Sequence, residues 1–201
     1  MERRDNYRLQ LQQAQQSFLG YDQQTIIRKL KLRYDESYFY PVLLGSQYRL
    51  CRSTGSLSRL VGEQWVDANT HSEVMTLLDL LCDSREDRCI SHRWKDMVSF
   101  GQYFHKELQS KDPWALRFDA DPKGLARACE ALGGEPFPQG DVAYAIEVFD
   151  GLRVVVQLWL ADEEFPPTLR FLWDENALQY LKYETMYFAR NLLLCRLEEQ
   201  L

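Results

Sequence analysis

The sequence predicts an α+β protein with an antiparallel or mixed sheet flanked by helices. Three observations support this class. Apolar residues recur at helical spacing over residues 6–19, 70–82 and 176–197. β-rich runs lie between these helical stretches and are joined by short turns of the hairpin type, Gly45-Ser46 and Asp150-Gly151. Alternation of this kind predicts helices packed against sheet.

The N-terminal part begins with two predicted helices. Apolar side chains fall every three or four positions over residues 6–19, which is the spacing of one helix face, and Gly20 ends the pattern. Asp22 is a suitable N-cap for a second, shorter helix whose apolar face includes Ile26 and Leu30.

A hairpin and a third helix follow. Residues 38–45 and 47–53 are β-rich and are separated by a short Gly-Ser turn, and residues 55–67 add a further strand. Thr70 and Glu73 then form a capping-box pattern, so we expect a helix that continues to residue 82.

The middle of the chain is less regular. The polar residues 83–93 predict a connecting loop, and residues 99–108 predict a short helix. Residues 109–121 show no clear period, so we expect an irregular segment in which Trp114 and Phe118 act as apolar anchors.

The C-terminal part contains the clearest signals. Asp121-Pro122 is typical of a helix start and Gly133 of its end. Residues 142–149 and 152–161 predict a hairpin, and the apolar run in the second strand predicts a central position with both faces covered. Residues 168–173 predict a third strand.

The final helix is predicted to begin at Asn176. Gln179 stands at the matching capping-box position. One apolar stripe then runs down the helix, consisting of Ala177, Leu181, Thr185, Phe188, Leu192 and Cys195.

The two halves of the chain show the same order of helix, hairpin, strand and helix. Residues 20–82 can be laid over residues 121–197, with residues 83–120 as the connecting segment. We therefore expect a single domain, 1–201, built from two pseudo-repeat halves. A degenerate internal duplication would explain the pattern.

Composition and charge narrow the classes of partner. No apolar run approaches the roughly 20 residues of a membrane helix, and the N-terminus has no apolar signal segment, so we expect a cytoplasmic protein and no membrane partner. Residues 1–33 hold seven basic and three acidic residues, whereas residues 34–201 hold 17 basic and 27 acidic residues. Because phosphate contacts need clustered Lys and Arg, we expect no nucleic acid partner.

The five cysteines do not form a standard pattern. Their number is odd, which argues against a disulfide framework. Cys51, Cys129 and Cys195 lie in apolar stretches and are expected to be core residues. Cys82, Cys89 and His92 would be metal ligands only with an unusual spacing. We therefore prefer to interpret this stretch as the end of a helix followed by a loop.

Two candidate polar features remain. Asp162, Glu163 and Glu164 form an acidic turn before Phe165-Pro166-Pro167. Asp162 and Glu164 would share one face of a continuing strand, and with Glu184 they would make a weak polar site for a hard cation or for acid–base chemistry. Asp141 or Asp174 would be the further ligands that complete a cation site. The alternative for the acidic turn is a solvated hairpin tip with Phe165 tucked in. The alternative for Glu184 is an internal side chain that bonds to the backbone or pairs with an arginine such as Arg153 or Arg170.

The remaining residues with reactive side chains do not form a recognisable functional motif. No common hydrolase, metalloprotease or phosphate-loop motif occurs, so no catalytic residue and no metal ligand is assigned, and the cofactor is unknown. The tyrosines on the predicted outer face of the last helix, Tyr180, Tyr183 and Tyr187, would line a pocket or a self-association surface.

The stretches "LGGEPFPQGDVAYAIEV" and "LADEEFPPTLRFLWDENALQYLKYE" resemble a prokaryotic family catalogued as domain of unknown function 3786. The earlier "WKDMVSFGQYF" is also similar to this family, and the resemblance covers about residues 20–197. The family is common in anaerobes and has no established activity. Some members carry an iron–sulfur cysteine domain, and no such cysteine cluster occurs in this sequence.

The resemblance implies a stand-alone, uncharacterised protein of anaerobic metabolism, with a non-catalytic binding or accessory role. A metal-assisted or acid–base enzyme using residues 162–164 is one alternative, and an oligomeric assembly protein is another. The expected partner is an unknown small molecule or protein, which includes a second copy of the chain in a homodimer.

Overall fold

The computed structural model describes residues 3–101 and 112–201. The chain divides into unit 1, Met1–Cys89 with Leu178–Leu192, and unit 2, Ile90–Ala177 with Leu193–Leu201. Helices and antiparallel strands occur in both units, which confirms the predicted α+β class. Within the described residues, no helix is both long and apolar enough to span a membrane.

Unit 1 combines helices with a small antiparallel sheet. Its elements are α1 (Arg3–Leu19), α2 (Gln23–Leu30), β1 (Tyr38–Phe39), β2 (Val42–Leu43), β3 (Ser46–Cys51), β4 (Leu57–Val61), β5 (Gln64–Asp67), α3 (His71–Asp83) and the first part of α6 (Tyr183–Glu198). The strand order in the sheet is β1-β3-β4-β5, and β2 also pairs with β3. The interior of unit 1 includes the buried side chains of Phe39, Leu50 and Leu57.

The first predicted hairpin is confirmed, with its turn one residue earlier than expected. Leu43 pairs with Ser46, and the turn residues Leu44 and Gly45 have φ of 48° and 70°. Pro41 divides the first predicted strand into β1 and β2, because proline has no N–H to donate to a ladder. Residues 57–67 form two strands instead of one, joined by a tight turn at Gly62.

Side chains cap the N-termini of α2 and α3 in unit 1, as the sequence predicts. Asp22 accepts the N–H of Gln24 at the start of α2. The Thr70 hydroxyl oxygen accepts the N–H of Glu73, and its hydroxyl donates to the Glu73 carboxylate, which confirms the capping box of α3.

Unit 2 is built around a second antiparallel sheet. Its elements are β6 (Trp94–Asp96), α4 (Pro113–Ala120), α5 (Pro122–Ala131), β7 (Glu135–Pro136), β8 (Val142–Phe149), β9 (Leu152–Trp159), β10 (Thr168–Asp174) and the last part of α6. The strand order in the sheet is β6-β10-β9-β8-β7. The buried side chains of Phe118, Leu125 and Trp173 belong to the core of unit 2.

The second hairpin and the central strand are confirmed. β8 and β9 meet at Asp150-Gly151, where both residues have positive φ. β9 lies between β8 and β10, and residues 154–158 are consecutively buried, so both of its faces are covered. The burial ends at Trp159, which is 42% exposed.

The prediction of an irregular segment over residues 109–121 is wrong for the part that the structure describes, since Pro113–Ala120 is α4. Asp112 caps this helix by accepting the N–H of Trp114, and Pro113 follows it. This is the same Asp-Pro signal that correctly predicts α5. The helix predicted over residues 99–108 lies mostly outside the described residues, and Met97–Phe100 is a 3₁₀ turn.

The last helix begins at Tyr183, seven residues later than predicted. The expected capping box fails because the Gln179 side chain accepts the N–H of Cys89 and is not available to cap. A 3₁₀ turn, Ala177–Gln179, stands in its place. Cys195 is exposed, which corrects its predicted place in the apolar stripe.

Candidate functional site: a polar cavity in unit 1

Unit 1 contains a cavity of about 310 Å³, which we call the Lys182 cavity. Helices α1 and α3 and the start of α6 supply most of its wall. Apolar and ionisable side chains both line it: Ala14, Ser17, Phe18, Tyr21, Met75, Leu78, Asp79, Cys82, Asp83, Lys182, Glu184, Thr185 and Phe188.

The acidic side of the cavity comes from α3. Asp79 and Asp83 are four residues apart, so one helical turn places both carboxylates on the same face. Asp79 interrupts the leucine run "TLLDLLCD" and is 7% exposed, whereas the Asp83 side chain is 45% exposed. A buried carboxylate of this kind requires a compensating partner.

Lys182 is that partner. Its Nζ lies 3.1 Å from Asp79 Oδ1 and also donates a hydrogen bond to Asp83. The Lys182 backbone N–H donates to Asp79 Oδ2 at 2.8 Å. Asp79 therefore fixes the chain just before α6 through both the backbone and the side chain of one residue.

The ionisable groups of the cavity are poorly suited to proton transfer at neutral pH. The hydrogen bond to Asp83 raises the pKa of Lys182 well above its usual range. Burial raises the pKa of the Cys82 thiol to about 12 and also raises the pKa of Tyr21. A general acid or base works best with a pKa near the operating pH, so these three groups remain protonated.

Lys29 lies beside the cavity wall and has a structural role. Its ammonium donates to the backbone carbonyls of Cys82 (2.9 Å) and Ser84 (2.8 Å) at the end of α3. A cation satisfies the free carbonyls at a helix C-terminus and interacts favourably with the helix dipole. Burial lowers the pKa of Lys29, although its ammonium is hydrogen-bonded.

Glu184 is an exposed residue of the cavity wall and lies in the first turn of α6. It forms no ion pair with a residue that the structure describes. Arg153, one of the partners considered for it, pairs with Glu135 in unit 2. The expectation that Glu184 lies inside the protein is therefore wrong, because the residue is exposed in the first turn of α6.

The acidic turn belongs to unit 2, and Asp162, Glu163 and Glu164 are all exposed. Asp162 Oδ1 accepts the N–H groups of Glu164 (2.8 Å) and Phe165 (2.7 Å). This carboxylate thus closes its own turn. The Phe165 ring is 65% exposed, so the expectation that it is tucked in is wrong: the turn closes around Asp162 and leaves the ring outside.

Two acids considered as further cation ligands are engaged with backbone groups. Asp141 accepts the N–H of Leu160 at 2.8 Å. Asp174 accepts backbone N–H groups of Ser91, His92 and Asn176. Among the residues that the structure describes, no group of three or more His, Cys, Asp or Glu side chains is arranged to hold a metal ion.

The three tyrosines predicted on one face of the last helix are separated by the structure. Tyr180 precedes α6 and is 3% exposed, because it packs into unit 1 with Arg88 over its ring. Tyr183 and Tyr187 do lie on α6, and their hydroxyls share a 2.7 Å hydrogen bond. Burial, followed by that hydrogen bond, raises the pKa of Tyr187 to about 12.

A larger groove of about 670 Å³ runs beside α1. Glutamines form much of its lining, together with Leu9, Leu19 and Thr54, and none of the described residues that line it is ionisable. The Lys182 cavity is thus the better candidate site, since it combines apolar surface with converging polar groups.

Comparison with known proteins gives a family match over most of the chain. The model of the family described as domain of unknown function DUF3786 matches residues 22–196. The chain belongs to this family. Searches of curated proteins and of solved structures find no match.

The DUF3786 match divides the wall of the Lys182 cavity. Asp79, Asp83, Lys182 and Glu184 lie within the matched residues, whereas α1 precedes them. The charged groups of the cavity therefore come from the family region, whereas Ser17, Phe18 and Tyr21 precede it.

The sequence prediction includes Glu184 but misses the ion pair beside it. Asp79 was available as a signal, because a lone acid inside a leucine run has to find a partner. Lys182 has no comparable signal, since its pairing with residues about 100 positions earlier depends on the fold.

Proposed function

We propose that this DUF3786 protein is a non-catalytic binding module whose Lys182 cavity takes a small molecule with an apolar part. The observation that carries this proposal is a 310 Å³ cavity in which the Lys182 ammonium and the Cys82 thiol both have raised pKa values and stay protonated at neutral pH. The volume lies at the lower end of the roughly 300–1,000 Å³ typical of ligand pockets.

The same observations favour binding over catalysis. Lys182 stays charged and Cys82 stays protonated at neutral pH, so neither is an activated nucleophile. On the family resemblance, we further propose an accessory role in the cytoplasm of an anaerobic prokaryote. Such a protein would bind or deliver a metabolite that other proteins transform.

Native mass spectrometry of the full chain, purified without oxygen, tests the binding proposal. We expect a retained adduct, or one formed on incubation with a metabolite library. The same adduct should be lost in Ala14→Leu/Ser17→Leu, because both new side chains extend into the cavity from α1.

A matched control is Gln13→Leu, which adds the same side chain on α1 outside the Lys182 cavity. This variant should keep the adduct. The proposal fails if no small molecule binds, or if the cavity-filling and control variants bind equally well.

A further inference from the structure

We infer that the ligand of the Lys182 cavity is an amphipathic organic cation, an ammonium group that carries an apolar arm. This inference rests on the proposed function and specifies the chemical class of its ligand. Charge, an incompletely satisfied buried oxygen and the shape of the apolar wall support it independently of one another.

The charges of the lining do not balance. Among the described residues that line the cavity, Asp79, Asp83 and Glu184 contribute three carboxylates and Lys182 contributes one ammonium. The Lys29 ammonium beside the wall donates to the carbonyls of Cys82 and Ser84. Lys182 pairs with both aspartates, and Glu184 has no ion-pair partner among the described residues. A second cation near Asp83 and Glu184 would offset this excess, whereas an anion would be repelled by it.

Asp79 gives the second line of support. Its Oδ1 is buried and accepts no hydrogen bond, although Lys182 Nζ lies 3.1 Å away. A buried carboxylate oxygen without a hydrogen bond is costly. Because Lys182 is needed at this enclosed oxygen, a ligand ammonium with its three donors would replace Lys182 at the more exposed Asp83.

The apolar part of the lining fits the apolar arm. Phe18, Leu78 and Phe188 belong to it, and Phe18 and Leu78 are almost fully buried. The volume of about 310 Å³ equals about ten water molecules at roughly 30 Å³ each. A short alkyl or aryl ammonium would fill this space, and its charge would also be attracted to an aromatic face.

Three probes with the same apolar arm separate the charge preference from simple cavity filling. Hexylammonium, hexanol and hexanoate would each be titrated into the ¹⁵N-labelled full chain, with dissociation constants taken from amide shifts of cavity residues. We expect hexylammonium to bind tightest and hexanoate weakest. Equal binding of hexanol, or tighter binding of hexanoate, overturns the cation assignment but leaves the cavity as a binding site. Failure of all three probes overturns the proposed function as well.

Variants that neutralise one charge each test which carboxylates contribute to the binding of hexylammonium. Asp83→Asn and Glu184→Gln should each weaken the binding of hexylammonium by about threefold, because solvent screens exposed charges, while the binding of hexanol stays the same. Both residues are substantially exposed, so the variants are expected to fold. Glu86→Gln is the control, since Glu86 is exposed and lies outside the lining. Unchanged hexylammonium affinity in both lining variants would overturn the inference.

Discussion

The Lys182 cavity and the acidic turn are two acid-rich regions that differ in almost every physical respect. In the acidic turn, three consecutive carboxyl residues are exposed, and Asp162 is used for the turn itself. In the cavity, Asp79 and Asp83 lie four positions apart and both pair with Lys182, about 100 positions later in the sequence. Density of acids along the sequence is therefore a poor guide to a site, whereas a buried acid that needs a partner is a better one.

The largest expected effect is on folding stability at Asp79. Asp79→Asn removes the charge that faces Lys182 and weakens the acceptor for the Lys182 backbone N–H. We expect a loss of about 2 kcal/mol in the free energy of unfolding, because a buried group loses a charge-assisted hydrogen bond. Denaturant unfolding measures this loss.

Asp162→Asn is the matched change in the acidic turn, and its amide oxygen can still accept the turn N–H groups. If the two variants lose the same free energy of unfolding, Asp79 does not stabilise the fold more than the exposed Asp162 does.

The second effect is a pH dependence that comes from Cys82. Its folded pKa of about 12 lies above its ordinary value of 9.0, so the unfolded chain releases this proton first as pH rises. Stability contributed by the protonated thiol is therefore present below pH 9 and decreases between pH 9 and 12. One proton corresponds to a slope of about 1.4 kcal/mol per pH unit.

Unfolding free energies measured from pH 8 to 10.5 check this sign. Cys82→Ala should flatten the alkaline decline by one proton, and the exposed Cys89→Ala should leave it unchanged. Cys129→Ala should flatten it in the same way, because burial also raises the pKa of that thiol to about 12. An identical slope in all four proteins would show that Cys82 does not stay protonated in the folded state.

A smaller effect is the coupling between Asp79 and Lys182. A double-mutant cycle with Asp79→Asn and Lys182→Met should give a coupling free energy of about 1 kcal/mol, since the Lys182 side chain is 62% exposed and solvent screens the pair. The exposed pair Arg153–Glu135 in unit 2 is the comparison and should couple more weakly. A coupling near zero for Asp79 and Lys182 would leave the cavity without its central interaction.

Local signals in the sequence predict much of the fold. The capping box at Thr70, the Asp-Pro start of α5 and the Asp150-Gly151 turn each depend on neighbouring residues, and each is confirmed. The Asp112-Pro113 start of α4 carries the same local signal, but residues 109–121 show no clear apolar period that would predict a helix. The late start of α6 follows from a long-range contact, Gln179 with Cys89, which no local pattern records.

The candidate site is predicted less well than the fold for the same reason. Glu184 is near the predicted last-helix stripe, but the ion pair of Lys182 with Asp79 and Asp83 joins residues about 100 positions apart. Sequence spacing reports on helix faces and turns. It does not report which distant side chain satisfies a buried carboxylate.

The smallest expected effect belongs to the acidic turn. Asp162→Asn with Glu164→Gln should shift the melting temperature by no more than about 2 °C, as is usual for exposed positions away from the core. Calorimetric titration with Mg²⁺ and Mn²⁺ should give the same result before and after the double substitution, because the turn carboxylates are exposed and Asp162 already accepts two backbone N–H groups. Metal binding that disappears in the double variant would reverse the comparison and make the acidic turn the site, with Asp162 and Glu164 as ligands.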